Sequence, residues 1–355
     1  MRRHMYSNDC ASSCFGCSIH FCWACVNHPA CHFLAPRESR AGGLTQAFHS
    51  LLRRLPCVDQ DAADVLVAVG WHTPAESELR NSSSGQHRLL WSHGLGTLIV
   101  YRARPLLGVM RWLSRWPQLL GVIATLRRCD GLVVAYRRRS RGDERSLDEC
   151  LARWLRVPVT VIGNPVDTDV WRPADLTCST ARTTVVSIGR LEWQKGHAAA
   201  FAIVAAAGPG LRLQVLAPES SPDAAALRRQ AHRMGHPQQL ELLLGLAPEQ
   251  RRPLLQQALC LLSWSETEYQ SLAMLEALAC GCPVLARPRG WLCHGPIPGV
   301  LVARSRREAE HHLQQLHAHP AWREELGRAA RTYVLEHHSW AVVAQQWNRL
   351  LEALA

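Results

Sequence analysis

Residues Ser263 to Ala286 read SWSETEYQSLAMLEALACGCPVLA. The apolar segment ALCLLSWS leads into this stretch, and PVLA closes it. From Leu272 to Ala279 the chain uses only Leu, Ala, Met and Glu, all strong helix formers. Gly281 stands where a glycine ends a helix, and Pro283 follows it. The pattern predicts strand, loop, helix, strand. Glu268 falls in the loop and Glu276 in the helix, with seven residues between them. In α/β proteins a loop that leaves a strand's carboxyl end and opens into a helix is where phosphorylated ligands bind.

Upstream the same rhythm repeats. TTVVSIG predicts a strand, RLEWQKG a loop with Arg190 and Lys195, HAAAFAIVAAA a helix and LRLQVLA a strand. Residues 223–234 predict a helix, LELLLG a strand and PEQRRPLLQQA a helix. This alternation implies a parallel sheet with right-handed crossovers. The polar, aperiodic segment Ala174 to Thr183 marks a domain boundary. Before it, FCWACVN, DVLVAVGW, RLLWSHG, DGLVVAY and VPVTVIGNPVD predict the strands of a second α/β half. FCWACVN leads through a loop to Gly42 and Gly43, then to the helical pattern LTQAFHSLLRRL. Glycines there let the backbone approach a ligand closely, although a tight turn explains them equally well. His93, at the tip of RLLWSHG, is either catalytic or structural. From about Glu308 onward the chain is helical. The expected fold class is α/β, with two doubly wound halves and C-terminal helices, and a ligand crevice at the strands' carboxyl ends.

Composition sets outer bounds. A chain of 355 residues suits two domains, and 47% apolar against 19% charged residues calls for a packed core. A net charge of +11 fits nucleic acid, an anionic membrane surface or an anionic small substrate. Its basic residues do not interleave with aromatics as in a nucleic-acid module, so no nucleic acid is expected. No apolar run reaches the roughly 18 residues of a membrane span, and the start beside Arg2 and Arg3 lacks a signal peptide's apolar segment. A cytoplasmic protein with reduced thiols is expected, with peripheral attachment at the cytoplasmic face of the membrane as the alternative. Tyr101 to Arg128, with Arg111, Trp112, Arg115 and Trp116, predicts an interfacial helix on anionic lipid or a surface helix stopped at Pro117. Among 14 cysteines, Cys14/Cys17 and Cys22/Cys25 form two C-x2-C pairs, a zinc pattern with unusually close knuckles. Cys22 and Cys25 would also face opposite ways on the predicted strand. An ill-defined extension over residues 1–20 is the competing account.

Arg190 and Lys195 directly follow a strand end. Two fixed cations there suit a diphosphate, Arg as a fork and Lys as a point charge. Glu276 suits a ribose diol, and Glu268 suits sugar hydroxyls. No Walker lysine loop or His/Asp metal cluster accompanies them. Together they describe a site for a nucleotide diphosphate sugar, with no metal or other cofactor expected.

These residues also resemble a family. SIGRLEWQKG resembles the G-R-L-x-x-x-K-G loop of the retaining glycosyltransferases of family 4 (glycosyl transferases group 1), which have the GT-B fold. ETEYQSLAMLEALACGCPVLA resembles their E-x7-E motif, and VIGNPVDTDVWRP resembles their interdomain linker. The resemblance implies a compact acceptor-side domain over 21–173, a nucleotide-sugar domain over 174–330, and a helix over 331–355 packing back on the first domain. It implies that Arg190 and Lys195 bind the donor diphosphate and Glu276 the ribose. Glu268 would contact the transferred sugar, with backbone amides around Gln270, Ser271 and Leu272. Gly42 and Gly43 would close over the donor, and His93 would lie near the reaction centre. The implied reaction is transfer to a hydroxyl of a glycan, glycolipid or small molecule with retention, without a dedicated enzyme nucleophile. Tyr269-Gln270-Ser271 stand where the family has Gly-Phe-Gly. A nucleotide-sugar 2-epimerase shares this architecture and is the alternative enzyme. A non-catalytic GT-B protein and a zinc- or nucleic-acid-binding protein are the alternatives of other classes.

Overall fold

The computed structural model describes residues 30–34, 55, 57, 62–69, 79, 85–92, 116–136, 147–174 and 182–354. Gly42, Gly43, His93, the C-x2-C pairs and FCWACVN lie outside the described residues. So does the basic stretch 101–115.

The N-terminal half is built on five parallel strands in the order β1-β2-β3-β4-β5. They are β1 (Cys31–Leu34), β2 (Val65–Val69), β3 (His87–Ser92), β4 (Gly131–Val134) and β5 (Val159–Val161). Every residue of β2 (VLVAV) and β4 (GLVV) is buried, as befits parallel strands covered on both faces. The sequence predicts a loop where β1 forms. CHFL is too short and too mixed to carry a strand signal; its pairing with Val65 to Ala68 makes it one. On its other side Cys31 bridges Cys57, so the chain leaves β1 in one direction before returning to form β2 in the other. Helix α1 (Trp116–Leu126) precedes β4, and α2 (Leu147–Trp154) precedes β5. The stretch expected to stop at Pro117 lies outside the described residues; Pro117 stands in the first described turn of α1, which runs to Leu126 with Val122 and Leu126 buried in the core.

The C-terminal half is a six-stranded parallel sheet in the order β11-β10-β9-β6-β7-β8. Its chain order is β6 (Thr184–Ile188), α3 (His197–Ala207), β7 (Arg212–Ala217), α4 (Pro222–Arg233), β8 (Leu240–Leu244), α5 (Pro248–Gln257), β9 (Cys260–Ser263), α6 (Leu272–Ala279), β10 (Val284–Ala286) and β11 (Val300–Val302). Local chemistry marks the ends. Ser221 caps α4 by accepting from the Asp223 N–H, with Pro222 in the first turn. Gly281 closes α6 with φ of 69°; its N–H donates to Leu278 O and that of Cys282 to Ala277 O, the Schellman pairing. Apolar clusters fill both sheet faces, one around Phe201, Val204 and Leu213, the other around Leu261, Met274 and Leu278.

Three helices finish the chain: α7 (Arg306–Ala318), α8 (Pro320–His337) and α9 (Trp340–Glu352). Helix α9 is amphipathic, and Val343, Trp347 and Leu351 enter the N-terminal core beside Val65, Leu89 and Trp91. The Trp91 and Trp347 rings meet edge to face at 5.2 Å. The chain thus crosses between the halves twice, after Asn164 and again at His338. The crossings touch, because Val166 N–H donates to His338 O at 2.8 Å. No helix among the described residues is long and apolar enough to cross a membrane.

Candidate functional site

The C-terminal sheet reverses direction between β6 and β9. From β6 the chain winds outward through β7 and β8, then jumps back to β9 and winds the other way. Loops that part at such a switch leave a crevice beyond the strands' carboxyl ends. The β6–α3 loop holds Arg190 and Lys195, and the β9–α6 loop holds Glu268 and Gln270.

The two loops are bonded together. Glu266 N–H donates to Gln194 O at 2.8 Å. Gly196 has φ of 69°, and a Cβ there would overlap the Trp264 carbonyl, so only glycine fits this approach. Lys195 Nζ reaches Glu268 Oε2 at 3.1 Å, with side chains 26% and 11% exposed. Arg190 does not join them. Its side chain is 67% exposed and pairs with Glu192 at 3.1 Å. His197, buried at the start of α3, shapes the loop from behind. Its Nε2 lies 3.2 Å from Arg190 O, an obligate acceptor, so Nε2 carries the proton. Nδ1 then accepts from Ser187 Oγ at 3.0 Å. Burial holds this ring neutral, with a pKa of about 4.

Glu276 lies in α6 with its carboxylate buried against Arg251 of α5, Nη1 to Oε2 at 3.2 Å. Burial pushes its pKa to about 7, with Arg251 pulling the other way. The Arg251 guanidinium also stands 5.2 Å from the Trp171 ring centre. Ser271 and Leu272 form the first turn of α6, whose leading amides have no partner within the helix. Gln270, expected to offer its backbone amide, also uses its side chain. Its side chain turns to the N-terminal half, where Oε1 accepts from Asn164 N–H at 2.6 Å. Tyr269 Oη likewise accepts from Ala135 N–H at 3.1 Å. Across the crevice, Ser92 at the end of β3 donates to the buried carboxylate of Asp148, whose pKa burial raises.

Sequence reasoning singled out Lys195, Glu268 and Glu276, and the structure brings the first two into contact. It passed over Arg251, His197, Asn164 and Asp148. Arg251 falls in the predicted helix PEQRRPLLQQA, and only its seven-residue offset from Ala258, where the strand lead-in begins, hints that it turns toward the sheet. A surface hollow of about 460 Å3 borders the same two loops, between α3 and α4, lined by Glu192, Gly196, His197, Glu266, Gln230 and Arg233; Lys195 and Glu268 do not line it. Among the described residues no group of three His, Cys, Asp or Glu side chains is placed to hold a metal ion.

The fold matches known structures over most of the chain. A structure of Anabaena Alr3699/HepE in complex with UDP-glucose superposes with a TM-score of 0.68 at 14% identity, covering 92% of this chain and 100% of that one. Sucrose-phosphate synthase (tll1590) from Thermosynechococcus elongatus gives 0.65 at 19% identity, over 88% and 77%. The lipopolysaccharide outer core galactosyltransferase WaaB, in its apo form, gives 0.61 at 12% identity, over 92% and 100%. The architecture is GT-B, that of glycosyltransferases. Within it, residues 203–349 match the profile of a family described as "Glycosyl transferase-like". No curated protein sequence matches the chain.

Proposed function

We propose that the chain is a glycosyltransferase that moves a sugar from a nucleotide diphosphate sugar to an acceptor hydroxyl, with retention at the anomeric carbon. The carrying observation is the Lys195–Glu268 pair at the β6/β9 switch point, with Glu276 buried one helix turn beyond the loop. Lys195 would turn from Glu268 to the diphosphate and neutralise the charge that builds on the departing group. The free amides at the start of α6 would accept the same phosphate or the sugar. Glu268, once released, would accept from a sugar hydroxyl, and Glu276 from the ribose. Arg190, on a long exposed side chain, would swing from Glu192 to the diphosphate. Gly42, Gly43 and His93 would meet the donor from the other half. A structural neighbour captured with UDP-glucose supports a uridine donor as the first to try. A neighbour captured with UDP and a glycan supports a saccharide acceptor.

The test has two parts. Thermal shifts are recorded with uridine, guanosine and adenosine diphosphates, because a ligand of the native state raises its stability. The responding nucleotide's sugars are then incubated with and without saccharide acceptors. A sugar–acceptor product of unchanged anomeric configuration is expected. An epimer formed from the nucleotide sugar alone would instead make the protein a 2-epimerase, and no response to any nucleotide would remove both readings.

A further inference from the structure

The loop that carries Glu268 is held by the opposite half of the molecule. Tyr269 Oη accepts from Ala135 N–H at 3.1 Å, at the carboxyl end of β4, and its ring stands 4.7 Å from that of Tyr136. Gln270 Oε1 accepts from Asn164 N–H at 2.6 Å, and Gln270 O accepts from Asn164 Nδ2 at 3.0 Å. Asn164 O in turn accepts from His338 Nδ1 at 3.0 Å. Asn164 and His338 are the two points where the chain crosses between the halves. On its other side the loop is fixed to the C-terminal half, since Trp291 N–H donates to Tyr269 O at 3.1 Å. Gln270 and Asn164 are 7% and 3% exposed, so these bonds are made away from solvent.

We infer that Tyr269 and Gln270 are positioning residues that make the placement of Glu268 depend on the placement of the two halves. Hydrogen bonds of this kind weaken within a few tenths of an ångström of stretch. A turn of one half against the other therefore either drags the Glu268 loop or releases it. Gln270 holds the loop at the crossing points, about which the halves must turn, and Tyr269 holds it at the end of β4. Both side chains stand where the family resembled by the E-x7-E stretch has Gly-Phe-Gly, so the double tether belongs to this chain's own residues. The ligand-affinity part of this inference rests on the proposed donor site; the mechanical part does not.

The experiment uses the full chain. Amide hydrogen exchange without ligand is compared for wild type, Tyr269→Phe, Gln270→Leu and Gln270→Glu. The first two variants should exchange about tenfold faster across residues 264–269, a loosening of one hydrogen bond's worth, with β6 to β8 unchanged. Gln270→Glu keeps an acceptor oxygen for Asn164 N–H and should restore wild-type exchange. Faster exchange confined to Ala135 and Asn164, or uniform acceleration in Tyr269→Phe, overturns the inference. Affinity for UDP-glucose by calorimetry is the second readout, because Glu268 is placed on the transferred sugar. Tyr269→Phe and Gln270→Leu should bind about tenfold more weakly, and Gln270→Glu within about threefold of wild type. Wild-type affinity in the first two overturns the coupling. If the wild-type chain binds none of UDP, GDP and ADP, the donor site itself is refuted, and the exchange data alone decide the tether.

Discussion

Lys195 Nζ stands 3.1 Å from Glu268 Oε2 across two loops that leave neighbouring strands. The pair is partly exposed, so its own contribution to stability is small. Its significance lies in what a diphosphate would do to it. A phosphate oxygen competes for Lys195 and sets Glu268 free to accept from a hydroxyl. Lys195→Ala removes one charge-assisted contact, about 1.5–3 kcal/mol, so nucleoside diphosphate affinity should fall about 10- to 100-fold. Titration calorimetry with UDP, GDP and ADP checks this. The loss should shrink as salt rises. Equal affinity in the variant would remove Lys195 from the donor site.

Glu276 predicts a pH dependence of binding. Its pKa is about 7 in the folded chain, raised by burial, against 4.5 ordinarily. A ribose diol donates to the ionised form and so favours it. Affinity should therefore rise as pH increases through about 7 and level off above it, with proton release on binding below that point. For stability the sign is opposite. Between about 4.5 and 7 the native chain holds a proton that the unfolded chain has lost, so this group's contribution declines as pH rises through that window. Glu276→Gln should flatten both curves. Calorimetry at pH 6 and 8, in buffers of different ionisation enthalpy, reads the proton directly. A wild-type pH profile in Glu276→Gln would refute the assignment.

The second half of the chain was legible because its signals are local. Continuous apolar runs, a glycine-closed helix and two loops with charged residues each fit in a short window, and all form as expected. The first half was harder. β1 is CHFL, a strand only because β2 lies beside it. Arg251 reaches Glu276 across 25 residues, and Asn164 reaches Gln270 across 106. Such partners are chosen by sheet order and domain docking, which no window of sequence contains. Gln270 itself could be placed in the loop, but its side chain's direction depends on the other half.

Gly290 backs the Glu268 loop. It has φ of 56°, and a Cβ there would overlap the carbonyl oxygens of both Glu268 and Tyr269. Gly290→Ala must shift this backbone and should cost about 1–3 kcal/mol of stability. Because the displaced carbonyl is Glu268's own, affinity for the nucleotide sugar should fall as well. Gly210→Ala is the control, since a Cβ there meets nothing within 4 Å. Thermal unfolding and UDP-glucose titration of both variants decide. Matching behaviour of the two would mean that the loop absorbs the clash.

His197 and His338 make the fold sensitive to acid. Both rings are buried with pKa values of about 4, against 6.5 ordinarily. Between those values the unfolded chain binds protons that the native chain refuses. Stability should therefore fall as pH drops from about 6.5 toward 4, each ring contributing about 2 kcal/mol between pH 7 and 5. Glu276 offsets part of this in the overlapping window. His197→Gln loses the bonds to Ser187 and Arg190 and should be less stable at pH 7. It should nonetheless lose about 2 kcal/mol less than wild type on going to pH 5, because its side chain takes up no proton. Urea unfolding at the two pH values measures both effects. The same pH loss in the variant would place the acid sensitivity elsewhere. Since His197 also fixes the backbone at Arg190, the variant should bind UDP more weakly even at pH 7, where the native ring is neutral.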